Sequence, residues 1–385
     1  AIKGVFIGNE AGEKRQTGHF NIAIGNNALK GSGTAANNTG AKNVAIGNFA
    51  GFKVEDGADN VFMGHYAGYS ATSADHNVIL GNDAGCLATS AATNVFIGRN
   101  AAGRHTTGGV NIAIGYNAGQ GASSSGGTGN NNISIGCNAL SEKLTSACNN
   151  IAIGAAAGLC IDTGNANINI GYIAGCANTN AVCNIAIGSA AGSMNGTGDH
   201  NISLGTDAGR GTTTNNGADN TGSTNISIGC AAGYLLSTGD SNISLGKEAG
   251  KNITTGTSNI SLGENAGKTI STGGYSVNIG MTAGYLTTGT GNVNVGHATG
   301  KCVVTGTYNV NMGYGAGFHQ CSGSYNVAIG HGAFCGSGTS SNNTGKCNIA
   351  IGQCALKVIT SGCRNIAIGE GAGCSITNSN NSILI

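Results

Sequence analysis

The residues that could do acid–base or metal chemistry are few in this chain and are dispersed along it. The 385 residues include eight His and fourteen Cys, and only 9% are charged. There is no Cys-x-x-Cys pair and no Cys/His cluster with zinc spacing. The acidic residues are too scattered to supply the carboxylate pair that cleaves a glycosidic bond. The sequence therefore predicts a protein without a catalytic residue, a metal ion or a cofactor.

Glycine-rich segments and histidines likewise predict no nucleotide-binding loop and no metal site. Segments of the form Ile-Gly-x-x-Ala-Gly resemble nucleotide-binding loops in glycine content alone, because none ends in Gly-Lys-Ser or Gly-Lys-Thr and none opens a helix. His65, His297 and His331 share one position after a glycine, but each lies in a different repeat of the motif described below. We expect no coordinated site from them.

Two cysteine pairs are placed for disulfide bonds if successive repeats stack. The spacing from Cys160 to Cys176, and from Cys347 to Cys363, is close to the spacing at which the chain repeats. Neighbouring strands would bring such residues within disulfide reach, and disulfides would indicate an oxidising, extracellular setting. The alternative is that these cysteines are small apolar core or corner residues.

The element that must position all of these residues is a short repeat. Its unit is seen in Asn21-Ile22-Ala23-Ile24-Gly25, with Ala28 three residues beyond the glycine. This glycine, which we call the marker glycine, occurs 21 times between Gly8 and Gly369. Fourteen of the 20 intervals are 17 residues long, and the others are 22, 21, 18, 24, 16 and 22. A fixed short period means that each repeat buries its apolar face only by stacking on its neighbours.

A repeat of this length suits one turn of a solenoid. The sequence predicts an all-β fold, a parallel β-solenoid (β-roll) of about 21 turns with two short strands per turn. Aliphatic residues such as Ile112 and Ile114 alternate with Ala, Ser or Asn before the marker glycine, as in a strand with one buried face, and we expect the small residue to point outward. The absence of Pro fits stacked backbone ladders. We predict a single continuous solenoid over residues 1–385, with loop insertions near 30–42, 120–131, 210–224 and 335–347.

An asparagine four residues before the marker glycine is the most regular polar feature. We predict that these side chains stack as a ladder along the solenoid axis. Five of them begin Asn-x-Ser sequons, but a ladder would make them inaccessible, so loop sequons at Asn37 and Asn342 are better candidates for glycosylation. The predicted ladder consists of Asn21, Asn43, Asn60, Asn77, Asn94, Asn111, Asn132, Asn150, Asn167, Asn184, Asn201, Asn225, Asn242, Asn259, Asn292, Asn309, Asn326, Asn348 and Asn365.

The run Asn21 to Leu29, restated around Gly115, Gly136 and Gly352, resembles repeats in the shafts of phage tail-fibre-like and bacterial surface-fibre proteins. In that family such repeats often precede a self-cleaving chaperone of the endosialidase type. The chain is similar, more distantly, to the head β-rolls of trimeric autotransporter adhesins. The resemblance implies an extracellular, cell-surface or virion-appendage location and homo-oligomeric assembly. This sequence lacks the family's chaperone domain, coiled-coil stalk and membrane anchor, and it has more Cys.

The leading functional hypothesis is a structural subunit of an extracellular filament or fibre shaft. Its partner would be itself, through uncapped solenoid ends or side by side. The alternative is an adhesin or tail-fibre module that binds surface glycan through its edge loops, such as the near-duplicate segments 31–40 and 336–345. Ice binding is a third class, disfavoured because Thr clusters at corners. A net charge of +1 predicts no nucleic-acid partner, and no apolar run is long enough for membrane insertion.

Overall fold

The protein is an all-β parallel β-solenoid of about 21 turns, and its usual turn is 17 residues long, as from Asn43 to Asn60. A computed structural model describes residues 3–15, 17–33, 37–122, 126–142, 144–212, 220–336 and 343–385. The chain divides into two compact units, Ala1–Ala190 and Ala191–Ile385, here called unit 1 and unit 2. That one uninterrupted solenoid runs through both units stays a prediction.

The described residues of unit 1 form eleven strands, each in register with the next. In the pairing of β7 with β8, for example, Ile112 lies opposite Ile133 although the turn between them is longer than usual. The insertion between the two turns is therefore accommodated outside the sheet. The strands are β1 (Gly4–Ile7), β2 (Asn21–Ile24), β3 (Val44–Ile46), β4 (Val61–Met63), β5 (Val78–Leu80), β6 (Val95–Ile97), β7 (Ile112–Ile114), β8 (Ile133–Ile135), β9 (Ile151–Ile153), β10 (Ile168–Ile170) and β11 (Ile185–Ile187).

Unit 2 has the same parallel arrangement. Ile202 pairs with Ile226 across the longest interval of the repeat, and Val277 pairs with Val293 across the shortest. The strands are β12 (Ile202–Leu204), β13 (Ile226–Ile228), β14 (Ile243–Leu245), β15 (Ile260–Leu262), β16 (Val277–Ile279), β17 (Val293–Val295), β18 (Val310–Met312), β19 (Val327–Ile329), β20 (Ile349–Ile351), β21 (Ile366–Ile368) and β22 (Ile383–Leu384).

Each turn has one strand, so the prediction of two was wrong. The second half of the turn is made of bends in the described residues, although its backbone still bonds to the next turn. Lys53 N–H, for example, donates to Tyr69 C=O at 2.9 Å. Closely spaced corners leave this segment too short to remain extended, while hydrogen bonding along the axis is kept.

The side chains of the strands also point the opposite way from the prediction. The small central residue is the buried one, as in Ala152 at 0% and Ser134 at 2% exposure. The flanking aliphatics Ile151 and Ile153 are only partly covered, and the pattern repeats in nearly every strand. The interior of so short a turn is narrow, so Ala, Ser or Asn occupies the central position in most strands, with Phe62, Ile79 and Phe96 as the larger exceptions.

Two small-residue positions fit a turn that is narrow and closely stacked on its neighbours. The Ala three residues after the marker glycine is fully buried, as in Ala157 and Ala249. The marker glycine has a positive φ, +132° at Gly154, and a Cβ there would lie 2.5 Å from the carbonyl oxygen of Gly171 in the next turn. Only glycine allows this approach between turns.

Three insertions share a buried asparagine at their base. Asn38, Asn220 and Asn343 are at most 2% exposed and lie where the chain rejoins the solenoid. Ser32 N–H donates to Asn38 Oδ1 at 3.2 Å, and Thr212 N–H donates to Asn220 Oδ1 at 3.4 Å. Residues 34–36, 123–125, 213–219 and 337–342 of the four predicted insertions lie outside the described residues.

Candidate assembly surface

The asparagine side chains of unit 1 lie above one another and link successive turns. Each Oδ1 accepts the backbone N–H of the asparagine in the next turn, from Asn21 to Asn43 at one end to Asn167 to Asn184 at the other. The nine distances lie between 2.7 and 3.1 Å. All members are at most 5% exposed. The structure thus brings together the residues that the sequence picked out.

The ladder of unit 2 has the same geometry with one replacement. Bonds of 2.9 to 3.1 Å run from Asn201 to Asn259 and from Asn292 to Asn365. Between them stands Ser276, whose N–H donates to Asn259 Oδ1 at 3.1 Å and whose Oγ accepts Asn292 N–H at 3.3 Å. The turn that follows Ser276 is the shortest one, and its strand pairing is still in register.

Each ladder amide also holds the corner of the next turn. Asn242 Nδ2 donates to Gly256 C=O at 2.8 Å, and Asn309 Nδ2 donates to Gly323 C=O at 2.8 Å. The acceptor is the residue three positions before the next ladder asparagine. One side chain therefore satisfies two buried backbone groups that no strand pairing would reach.

The outward side chains of the strands form a continuous apolar surface in each unit. We define the aliphatic face of a unit as the residues three and one before its marker glycines, in β2–β11 for unit 1 and β12–β21 for unit 2. Every one of these positions is Ile, Val, Leu or Met. Exposure reaches 37% at Ile153, 39% at Ile187 and 43% at Ile368. Soluble proteins rarely leave so regular an apolar stripe uncovered.

The size of this face is that of a protein–protein interface. Ten strands at about 4.8 Å, each presenting about 10 Å of extended chain, give about 500 Å² per unit. Two identical units packed through it would bury about 1,000 Å², the lower bound of a specific interface. The face carries no charged residue to oppose such packing.

The predicted disulfides are not formed. None of the fourteen cysteines is in a disulfide bond. Cys160 N–H donates to Cys176 C=O at 2.9 Å, so this pair does lie on adjacent turns. The members of the pairs Cys160–Cys176 and Cys347–Cys363 are, however, one position closer in sequence than a full turn. The two members of each pair therefore occupy neighbouring positions of their turns and not the same position.

The sequons on the ladder are buried, as at Asn132 (2% exposed) and Asn259 (0%). Asn37 lies at the surface, and Asn342 lies outside the described residues.

The histidines form no metal site in the described part of the chain, where no three His, Cys, Asp or Glu residues are placed to hold a metal ion. His297 and His331 instead stack on either side of Tyr314, with ring centroids 5.0 and 5.2 Å apart.

The burial of one histidine was not predicted from the sequence. His105 is 1% exposed, its ring lies edge-on to Phe96, and one ring nitrogen is 3.0 Å from Asn111 Nδ2. Burial lowers the pKa of His105 to about 4. Its position in the second half of a turn, among polar residues, gave no hydrophobic signal. It lies six residues before a ladder asparagine, the position at which Leu144 and Ile161 are buried in other turns, and that alignment is the signal that could have identified it.

No protein-family model matches this sequence, and no curated protein matches it either. The described residues also contain no helix of the length and apolar character that a membrane span requires.

Proposed function

We propose that this protein is a structural subunit of an extracellular filament or fibre shaft and that its copies associate side by side through the aliphatic face. The observation that carries the proposal is the outward direction of Ile, Val, Leu and Met on every turn from β2 to β11 and from β12 to β21. The resemblance of the repeat to fibre shafts, and the location that it implies, are parts of the same proposal.

The occupant that fits this face is a second copy of the chain. A partner with charged contact residues would have to desolvate them against an uncharged stripe, whereas another aliphatic face buries only apolar surface. At about 25 cal/mol per Å², burying about 1,000 Å² offers about 25 kcal/mol before the losses of freedom on association are subtracted. Association of this kind is therefore energetically feasible for one unit alone.

The ladder supplies the stiffness that a shaft needs. Each turn of unit 1 is held to the next by strand pairing and by the asparagine bonds beside the strand. A hinge between turns would leave buried N–H and C=O groups without partners. We therefore assign the solenoid a mechanical role, with the aliphatic face as its lateral contact.

The test places charge on the aliphatic face of unit 2. Ile243→Glu with Leu245→Glu alters the two outward residues of β14. The control Thr255→Glu adds a carboxylate at an exposed site on the second half of the same turn. Analytical ultracentrifugation and negative-stain microscopy should show assemblies for the unaltered protein and the control, and smaller or weaker assemblies for the double variant, in which only the aliphatic face of unit 1 is intact. An unaltered protein that remains a dispersed monomer at every concentration would refute the proposal.

A further inference from the structure

Unit 2 carries a line of cations and aromatic rings on a different side from the aliphatic face. We define the basic–aromatic column as the residues five positions after its marker glycines from Gly205 to Gly352. Backbone bonds place successive members on adjacent turns, as Leu286 N–H donates to Lys301 C=O at 2.8 Å and Cys302 N–H donates to Phe318 C=O at 2.8 Å. The members are Arg210, Tyr234, Lys251, Lys268, Tyr285, Lys301, Phe318, Cys335 and Lys357.

The cations of the column cover the faces of its rings. Tyr234 lies between Arg210 and Lys251, whose charged groups are 5.4 and 5.8 Å from the ring centroid. Lys268 Nζ is 5.5 Å from the Tyr285 ring. Lys301 Nζ is likewise 5.4 Å from the Phe318 ring. Tyr234 thus has a cation on each side along the axis, and Tyr285 and Phe318 have one each.

The column has an excess of positive charge at one end. Glu248 bonds to both Lys251 and Lys268, at 2.7 and 2.5 Å. Asp207 pairs with Arg210 at 3.3 Å. Two carboxylates therefore balance two of the five cations and leave three positive charges. Lys301 and Lys357 have no ion-pair partner within the described part of the chain.

The field of Lys301 is felt by its neighbour. Burial lowers the pKa of His319, and the charge of Lys301 lowers it further. An uncompensated cation that already repels protons nearby is poised to attract an anion. The equivalent column of unit 1 differs, because its lysine, Lys30, contacts Glu10 at 2.5 Å and Glu13 at 3.2 Å.

We propose that the basic–aromatic column of unit 2 binds a linear acidic polysaccharide lying along the stacking axis. From Lys251 to Lys357 the cations fall on one line at whole multiples of the turn spacing, over about 29 Å. A linear chain of uronate-type sugars offers carboxylates and hydroxyls along such a line. Single-stranded nucleic acid is disfavoured, because its bases need free aromatic faces on which to stack.

This inference does not rest on the assembly of the protein. It goes beyond the structural role, and it uses a surface that shares no residue with the aliphatic face. Assembly would present several columns to one polysaccharide and raise the apparent affinity by multivalency. Binding is therefore best measured on the Ile243→Glu/Leu245→Glu background as well as on the unaltered protein.

The experiment measures binding of sodium polygalacturonate by microscale thermophoresis between about 50 and about 200 mM salt. Across this range the affinity from such contacts is expected to fall by about an order of magnitude or more. Three contacts predict a slope of log affinity against log salt of about −2. Lys301→Gln with Lys357→Gln should weaken binding about 25-fold, about fivefold for each lysine. The control Lys42→Gln with Lys247→Gln removes the same charge from two exposed lysines elsewhere, 64% and 65% exposed, and should change binding less than about twofold.

Three results would overturn the proposal. One is no binding of polygalacturonate in the lower salt. Another is equal weakening by the two double variants, which would indicate attraction to net charge alone. The third is tighter binding of oligo-dT than of polygalacturonate. Neutral dextran should not bind. Each of these results can be read on the Ile243→Glu/Leu245→Glu background whatever the assembly test shows, so the two proposals fail separately.

Discussion

Replacing a single ladder asparagine tests whether the ladder holds the turns together. Asn242 is fully buried, its Oδ1 accepts Asn259 N–H at 3.1 Å, and its Nδ2 donates to Gly256 C=O at 2.8 Å. Asn242→Ala removes both contacts, together with the amide–amide bonds to Asn225 and Asn259, and gives neither backbone group another partner. Asn225 Oδ1 still accepts the backbone N–H of residue 242 at 2.9 Å, so only two groups are orphaned.

The magnitude follows from those two groups. A buried donor or acceptor without a partner costs about 1–3 kcal/mol, so Asn242→Ala should lower the free energy of unfolding of unit 2 by about 4 kcal/mol. The chain contains its own matched control, because Ser276 occupies the same position in another turn. Its Oγ accepts Asn292 N–H at 3.3 Å and donates to Gly289 C=O at 3.4 Å. Asn242→Ser should therefore cost about 2 kcal/mol or less.

Two measurements separate local from global effects. Urea unfolding of the whole protein gives the change in stability, while hydrogen exchange at the Asn259 amide reports the broken contact itself, because repeat proteins open turn by turn. We expect fast exchange at that amide in Asn242→Ala and intermediate exchange in Asn242→Ser. If the two variants are equally stable, or if alanine costs less than about 1 kcal/mol, the ladder is not a stabilising element and the reasoning is wrong.

Further predictions concern the close approach of turns and the buried imidazole. Gly154→Ala should lower the free energy of unfolding by at least about 3 kcal/mol, since its Cβ meets the Gly171 carbonyl oxygen at 2.5 Å. Gly315→Asn, whose side chain would enter open space at φ +62°, should cost less than about 1 kcal/mol; calorimetry compares them. The pKa of His105 is about 4 folded and about 6.5 unfolded, so the unfolded chain binds more protons and stability should fall by about 3 kcal/mol from pH 6.5 to pH 4. His105→Gln should flatten that urea-unfolding profile.

The period and the register could be predicted from the sequence because they depend on spacing alone. Ile112 and Ile133 pair across an insertion because the strand motif restarts after it. The ladder position could be found for the same reason. Side-chain hydrogen bonds such as Asn43 to Asn21 require only that like residues share a height on the axis.

Which side of the strands faces the interior could not be predicted in the same way. Alternation of Ile with Ala defines two faces but does not say which is inside, and hydrophobicity favours the wrong one. The deciding quantity is the interior width, and the buried Ala157 is a residue that fits a narrow interior. Where room exists a large residue enters, as with Phe62, whose ring occupies the space that a Cβ on Gly68 would need.

The disulfide prediction failed on a finer scale. It treated a spacing one position short of a turn as equivalent to a whole turn, which is adequate for locating turns but not for side-chain direction. Cys347 has a φ of +59° and is followed one turn later by Arg364 at +58°, so its structural equivalent is Arg364 and not Cys363. Covalent geometry requires that the residue offset be counted to the single position.

The asparagine hydrogen bonds also align the start of each strand with the strand before it, independently of the length of the turn between them. Both shortened and lengthened turns occur within the two units, yet the strand that follows each begins opposite its predecessor. Extra or missing residues in one turn are accommodated within that turn and do not change the register of the following strands. Whole turns, and short stretches of residues in the bends, can thus be gained or lost without disturbing the alignment of the other turns. Such a chain can therefore change its length with few constraints.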